Sequence, residues 1–93
     1  MTYGLIVPPS IRRQIRGLSA GDQAELITLF DRLPVDPDQA TGVFGLDVPG
    51  PYRMRSVGLS RLVVIVYIDD LAQKVTVMRI DAPPSPADLD RRP

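Results

Sequence analysis

Apolar residues in the first third of the chain recur at the spacing of two amphipathic helices. One stripe, with arginines on the opposite side, predicts a helix from Pro9 to about Gly17. A second stripe follows a capping box at Ser19–Asp22 and predicts a helix from about Ala20 to Leu33. The stripes consist of Ile11, Ile15 and Leu18, and of Leu26, Ile27, Leu29, Phe30 and Leu33. Because so few residues separate the two helices, we expect an antiparallel helical hairpin.

Segments of alternating or wholly apolar residues predict four β-strands outside the helices. They are Tyr3 to Val7, Tyr52 to Val57, Leu59 to Ile68 and Lys74 to Ile80, with turns at Gly58 and at Asp69–Gln73. The third segment is apolar on both faces, which indicates the central strand. The order strand–helix–helix–strand–strand–strand predicts an α+β domain. Its sheet is mainly antiparallel, with the helical hairpin packed on one face and the other face open.

Two proline-rich segments lie outside the predicted elements. Pro34 to Pro51 contains four prolines, three aspartates and three glycines, and we interpret it as a surface loop anchored in the core by Phe44 and Leu46. The tail from Ala82 onward cannot bury enough apolar surface to offset its ordering entropy, so we expect it to be disordered. The prediction is a single domain over residues 1–82 and a Pro-rich tail over residues 83–93.

The composition excludes several kinds of chemistry. The chain has no cysteine and no histidine, which removes disulfides, thiolate nucleophiles, histidine-based triads and imidazole–metal sites. It also has no glycine-rich phosphate loop or metal-binding motif, so we expect no cofactor. No apolar run approaches the roughly 20 residues of a membrane span, and the N-terminus has no basic leader region. The expected location is therefore the cytoplasm, without a membrane partner.

Charge is unevenly distributed although its net value is zero. Residues 34–51 hold three aspartates and no basic residue, a charge of −3, whereas residues 52–66 hold three arginines and no acid, a charge of +3. Arg53 and Arg55 project to the same side of a strand, about 7 Å apart, which suits consecutive phosphates. With Arg61 just across the predicted turn, three guanidiniums on the open sheet face would bind a phosphodiester backbone. By spacing alone, a solvated sheet face is the commoner explanation of such arginines.

The remaining polar and aromatic residues give weaker signals. Arg79, on the last predicted strand, either extends the basic face or lies at its edge. The three tyrosines, Tyr3, Tyr52 and Tyr67, are interpreted as partly buried packing residues. The Asp69–Asp70 pair is interpreted as part of a hairpin turn rather than as a metal site.

Taken in order, these motifs resemble the RelE/ParE superfamily of toxins from bacterial type II toxin–antitoxin pairs. The resemblance covers about residues 1–82. It consists of an N-terminal strand, a proline and basic helix, a second helix ending in Leu-Pro, a glycine-bearing loop, a hairpin and a closing strand. The motifs that carry it are Thr2–Val7, Leu33-Pro34, Phe44-Gly45-Leu46, Tyr52-Arg-Met-Arg55, Gly58, Arg61-Leu-Val-Val64 and Lys74–Ile80.

The resemblance implies a toxin that inhibits translation by ribosome-dependent cleavage of mRNA. Arg53, Arg55 and Arg61 match the basic positions of the family's second and third strands, where they would be catalytic. Together with Arg79 they would bind RNA. The partners that the resemblance implies are a cognate antitoxin protein, the ribosome and mRNA.

One departure from the family pattern leaves the activity open. The family usually supplies a further basic residue, and often a tyrosine or histidine, just after the last strand, where this chain has Asp81-Ala-Pro-Pro. Whether the protein is an endoribonuclease is therefore undecided by its sequence. The alternative is a non-catalytic protein, either a ParE-like inhibitor of DNA gyrase or an inactive homologue that binds partners.

Overall fold

A computed structural model describes residues 2–43 and 50–82 of the chain. In chain order its elements are β1 (Gly4–Ile6), α1 (Pro9–Arg16), α2 (Ala20–Arg32), α3 (Pro37–Ala40), β2 (Gly42–Val43), β3 (Tyr52–Gly58), β4 (Val63–Asp69) and β5 (Lys74–Asp81). The strands form one sheet in the order β1-β5-β4-β3-β2, antiparallel except for the parallel β1–β5 pair. The α+β prediction is confirmed, and the segment that is apolar on both faces supplies the central strand, β4.

Local sequence signals set the ends of the two longer helices and their pairing. Pro9 occupies the first turn of α1, where the amide hydrogen that proline lacks would have no helical partner. The Ser19 hydroxyl accepts a hydrogen bond from the Asp22 amide at 3.2 Å and caps α2. The side-chain amide of Gln23 then donates to the carbonyl of Ile15 at 2.9 Å, which ties α2 to the end of α1. Both helices of the predicted hairpin are present, and this hydrogen bond joins them.

The hydrophobic core lies between the helical hairpin and one face of the sheet. Its most deeply buried side chains are Leu26 of α2, Leu33 immediately after α2, Val64, Val66 and Ile68 of β4, and Val75 and Val77 of β5. The strand residues in this set occupy alternate positions, as expected when one face of a sheet is covered. Removal of this apolar surface from water is the main driving force for folding.

The register of the strands decides which side chains share a face. Arg53 pairs with Ile68 and Arg55 pairs with Val66, and both partners in β4 are fully buried. The two arginines therefore lie on the face of the sheet that carries the core. Our expectation that they lie on the open face is wrong, because a shift of one residue in register exchanges the two faces of a strand.

The open face of the sheet carries a strip of side chains that are apolar or aromatic except for one threonine. Ile6, Thr76, Tyr67 and Met54 are paired in register across β1, β5, β4 and β3. The ring of Tyr67 stacks on that of Tyr52, with 6.2 Å between the ring centroids and 5° between the ring planes. Tyr67 is half-buried, as expected of a packing residue, whereas Tyr52 is exposed.

The proline-rich segment between α2 and β3 contains two short elements where we expected only loop. Asp36 caps α3 by accepting a hydrogen bond from the Gln39 amide at 3.1 Å, and Pro37 occupies the first turn. Strand β2 follows and pairs with β3. The loop interpretation is wrong here, because a capping aspartate starts the helix and the edge of β3 offers backbone partners to β2. The predicted anchors Phe44 and Leu46 lie outside the described residues.

The turn between β3 and β4 is longer than predicted. Strand β4 begins at Val63 and not at Leu59, because residues 59–62 form a turn in which the Leu59 amide donates to the Leu62 carbonyl at 2.8 Å. The amide and hydroxyl of Ser60 donate to one carboxylate oxygen of Glu25 in α2, at 3.2 and 3.0 Å. The turn is thereby fixed to the helical layer.

Among the described residues the longest helix is α2, with 13 residues. None of the helices in residues 2–43 and 50–82 combines the length and the apolar character needed to cross a bilayer. The predicted Pro-rich tail, residues 83–93, lies outside the described part of the chain.

Candidate functional site

Polar side chains from four parts of the chain meet where β3 begins. They are Tyr3, before β1; Asp38, in α3; Arg53 and Arg55, in β3; and Asp70, after β4. We call this group the Arg53 cluster, because Arg53 contacts both carboxylates. The cluster connects the start of the chain, α3 and the β4–β5 turn to a single strand of the sheet.

Arg53 is the most constrained member of the cluster. Only 18% of its side chain is exposed, and its two terminal nitrogens contact different carboxylates: Nη1 pairs with Asp38, and Nη2 lies 2.9 Å from Asp70 Oδ1. Partial burial by itself would lower the pKa of Arg53, but the hydrogen bond and charge of Asp38, supported by Asp70, raise it. Arg53 is therefore a permanent cation held between two anions.

Asp70 joins Arg53 to the N-terminal segment. The Tyr3 hydroxyl donates to Asp70 Oδ1 at 2.7 Å, so this oxygen accepts hydrogen bonds from both Tyr3 and Arg53. The hydrogen bond to the carboxylate, together with burial, raises the pKa of Tyr3, because both favour the neutral phenol. The Asp70 amide donates to the Pro51 carbonyl at 2.8 Å, which holds the turn against the start of β3.

Arg55 lies two residues further along β3 and contacts the other end of α3. Its Nε donates to the Thr41 hydroxyl at 3.1 Å, and its Nη2 donates to the carbonyls of Thr41 and Asp38 at 3.3 and 3.4 Å. Arg53 and Arg55 thus lie together on one face of β3, as the spacing predicted. They are engaged by their own chain through α3.

The chemistry available to the cluster is anion binding. A guanidinium offers parallel N–H donors that match carboxylate or phosphate oxygens, and it stays charged at neutral pH. The carboxylates do not form a metal site: no group of three or more His, Cys, Asp or Glu suited to a metal ion occurs among the described residues.

Arg61 lies apart from Arg53 and Arg55. It is exposed in the turn between β3 and β4, beyond the last pair of the ladder, Gly58 with Val63. From Arg55 to Gly58 is three residues, or about 10 Å along the strand. The longer turn therefore separates two of the predicted site residues from the third.

Arg79 lies on the open face and not beside the Arg53 cluster. It pairs in register with Ile65, which neighbours the core residue Val66 and so points to the opposite side. Its side chain is 71% exposed and pairs with Asp81 at 2.8 Å. The stacked Tyr52 and Tyr67 lie on the same face and offer ring surfaces on which a nucleic-acid base can stack.

Sequence reasoning missed three members of the cluster, Tyr3, Asp38 and Asp70. We interpreted Tyr3 as a packing residue and Asp70 as a turn residue, and gave Asp38 no role. One signal was present: an acidic segment precedes a basic strand of equal and opposite charge. Adjacent segments with charges of −3 and +3 attract each other, and the Asp38–Arg53 ion pair is one result of that attraction.

This arrangement of helices and strands is the fold of RelE-like toxins. The structure is similar to that of the archaeal RelE–RelB complex from Pyrococcus horikoshii OT3, with a TM-score of 0.77 and 15% sequence identity, covering 88% of this chain and 96% of that chain. It is also similar to the toxin–antitoxin complex RelBE2 from Mycobacterium tuberculosis, with a TM-score of 0.71 and 19% identity, covering 89% of this chain and 100% of that chain. No family model and no curated protein matches the sequence. The resemblance drawn from sequence motifs is confirmed at the level of the fold.

Proposed function

We propose that this protein is the toxin of a type II toxin–antitoxin pair and inhibits translation by ribosome-dependent cleavage of mRNA. The observation that carries the proposal is the RelE-like fold. The similarity to the archaeal RelE–RelB structure covers 88% of this chain. The β3–β4 hairpin agrees with the proposal, because it carries three basic residues, Arg53, Arg55 and Arg61.

The proposed catalytic groups are these three guanidiniums. In the proposed reaction a ribose 2′-hydroxyl loses its proton to water and attacks the adjacent phosphate. A 2′,3′-cyclic phosphate forms as the bond from phosphorus to the 5′-oxygen breaks, and the leaving 5′-oxygen takes up a proton from water. Negative charge builds on the phosphate oxygens in the transition state. Fixed cations that reach those oxygens stabilise the charge in the transition state. The chain has no histidine or cysteine, so charge stabilisation and orientation of the RNA are what the arginines would contribute.

The separation of the arginines implies an RNA strand lying along β3. Arg53 and Arg55 are about 7 Å apart along the strand, and Arg61 lies more than about 10 Å beyond Arg55. One phosphate cannot contact all three, so the proposal needs at least two phosphates of the same RNA. Arg79, on the open face, would contact a different part of the RNA.

The proposed partner is a small antitoxin that binds the toxin and neutralises it. An acidic antitoxin segment would be attracted to the basic residues of the hairpin, and α1 adds Arg12, Arg13 and Arg16 without any acidic residue. A toxin that acts on the bacterial ribosome would lie in the cytoplasm.

A cell-free bacterial translation reaction tests the proposal. Purified protein is added, and reporter synthesis is measured together with the integrity of the mRNA. We expect the wild type to stop reporter synthesis and to cut the mRNA. Arg61→Ala should cut the mRNA at least tenfold more slowly, since removal of one charge-stabilising donor lowers the rate by a factor of about 10²–10³. Arg13→Ala is the matched control: this arginine is exposed on α1, and its side chain makes no hydrogen bond or ion pair with any described residue. Normal synthesis with intact mRNA from folded wild-type protein would refute RNA cleavage.

A non-catalytic role is the second candidate, and the internal pairing of Arg53 favours it. Arg53 is held by Asp38 and Asp70, and Asp81 stands at the end of β5, where the family usually has basic residues. A protein of this kind would bind DNA gyrase, or only its antitoxin. Inhibition of gyrase supercoiling by protein that leaves translation intact would support this candidate over the first.

A further inference from the structure

Arg53 contacts two carboxylates that are held in different ways. Asp70 accepts the Tyr3 hydroxyl at 2.7 Å, its amide donates to the Pro51 carbonyl at 2.8 Å, and only 33% of its side chain is exposed. The Asp38 side chain is 54% exposed, and within the described residues its carboxylate contacts only Arg53. Asp70 is therefore a fixed partner, whereas Asp38 can leave by rotating its side chain into water.

The Asp38 side chain can move without a rearrangement of α3, the short helix that carries it. Helix α3 is a single turn of four residues, and one turn has no stability of its own. It is held by the Asp36 cap, by the buried Pro37 and by the hydrogen bonds from Arg55 to the Asp38 and Thr41 carbonyls. None of these contacts uses the Asp38 carboxylate, so its departure from Arg53 leaves them in place.

We propose that the Asp38 carboxylate competes with an RNA phosphate for Arg53 and thereby sets the affinity of the protein for RNA. Carboxylate and phosphate are both oxyanions that accept hydrogen bonds from a guanidinium. When Asp38 withdraws, Nη1 of Arg53 is released for a phosphate, while Asp70 still holds Nη2 and keeps the guanidinium in position. This inference rests on the proposed function, because that function is the reason for taking the competing anion to be an RNA phosphate.

The location of the site fits an exchange of this kind. Arg53 Nε is buried and has no hydrogen-bond partner among the described residues. An incoming anion can therefore accept hydrogen bonds only from the terminal nitrogens of the guanidinium. An RNA phosphodiester resembles the Asp38 carboxylate in carrying one negative charge and in offering oxygens that accept hydrogen bonds from a guanidinium. It can therefore take the place of that carboxylate on Nη1 of Arg53.

Binding of a fluorescein-labelled, single-stranded RNA oligonucleotide, followed by fluorescence anisotropy, tests the proposal. Asp38→Asn removes the competing charge and keeps the size of the side chain. The matched control is Asp31→Asn, which changes the net charge equally on α2 and affects a side chain that makes no hydrogen bond or ion pair with any described residue. We expect Asp38→Asn to bind the oligonucleotide about fivefold more tightly than Asp31→Asn, corresponding to the roughly 1 kcal/mol of a partly exposed ion pair.

The salt dependence of binding separates release of Arg53 from a general change in charge. If Arg53 gains a phosphate contact, the slope of log K against log salt concentration becomes steeper by about 0.7 in Asp38→Asn. Addition of Arg53→Gln to Asp38→Asn should remove both the gain in affinity and the steeper slope. Should Asp38→Asn alter the melting of the protein, Asp38→Ser repeats the test with a smaller side chain.

Equal affinities and equal salt slopes for the Asp38 and Asp31 variants would overturn the proposal. The translation assay on the same proteins reports separately on the proposed function. If the wild type stops translation but Asp38→Asn binds RNA no better, the competition is wrong and the toxin function stands. If Asp38→Asn binds RNA more tightly but neither protein affects translation, the competition stands and the RNA-cleaving function is wrong.

Discussion

The hydrogen bond from Tyr3 to Asp70 is predicted to contribute measurably to the stability of the fold. Tyr3→Phe removes only the hydroxyl, which donates to Asp70 Oδ1 at 2.7 Å, and leaves the ring against the core. A hydrogen bond to a charged group contributes about 1.5–3 kcal/mol. Because Asp70 is one-third exposed and keeps Arg53 as a partner, we expect a loss of about 1 kcal/mol. In a domain of this size the melting temperature then falls by about 4–8 °C.

The same contact predicts a pH dependence with a definite sign. The pKa of Tyr3 is raised in the folded protein, first by the hydrogen bond to Asp70 and then by burial. An acid whose pKa is raised on folding contributes stability that is present below its unfolded pKa, about 10 for tyrosine, and is lost as the pH rises through the folded value. The stability difference between wild type and Tyr3→Phe should therefore shrink above about pH 10.

Urea denaturation followed by circular dichroism, at neutral pH and above about pH 10, measures both effects. Tyr52→Phe is the matched control: it is the same chemical change, at a hydroxyl that has no hydrogen-bond partner among the described residues. We expect the control to stay within about 0.5 kcal/mol of the wild type. Equal stabilities of the two variants at neutral pH, or a Tyr3→Phe difference that persists unchanged in alkali, would refute the reasoning.

Two further pairs of substitutions, each a test with its control, concern the helical layer. Leu33→Ala empties a fully buried position in the core and should lower the free energy of unfolding by about 2–5 kcal/mol, as measured by urea denaturation. Ile27→Ala, on the exposed side of α2, should change it by less than about 0.5 kcal/mol. Similar losses for the two variants would contradict the assigned orientation of α2. Ser19→Ala removes the cap of α2 and should cost about 1 kcal/mol, while Ser10→Ala in α1 should be nearly neutral. No difference between the two serine variants would show that the cap does not stabilise the protein.

The order of the elements could be predicted because each long element carries its own periodicity. The apolar stripe of α2 indicates which side of the helix is buried, and the capping serine before it marks where the helix begins. The unbroken apolar run of β4 indicates a strand that is covered by other residues on both faces. The short elements α3 and β2 carry no such pattern. They depend on one capping aspartate and on pairing with β3, so proline and glycine content led to the interpretation of a loop.

The sequence determined only some of the spatial relations among the residues of the candidate site, and the tertiary structure decided the others. The sequence alone placed Arg53 and Arg55 on one side of a strand, because side chains alternate along any strand. Only the pairing of β3 with β4 decided which face that side is, and only the length of the turn separated Arg61 from them. The partners of Arg53 lie 15 and 17 residues away along the chain. Ion pairs between distant residues leave no periodic pattern in the sequence. The folded arrangement of α3, β3 and the β4–β5 turn therefore decides which charged residues meet.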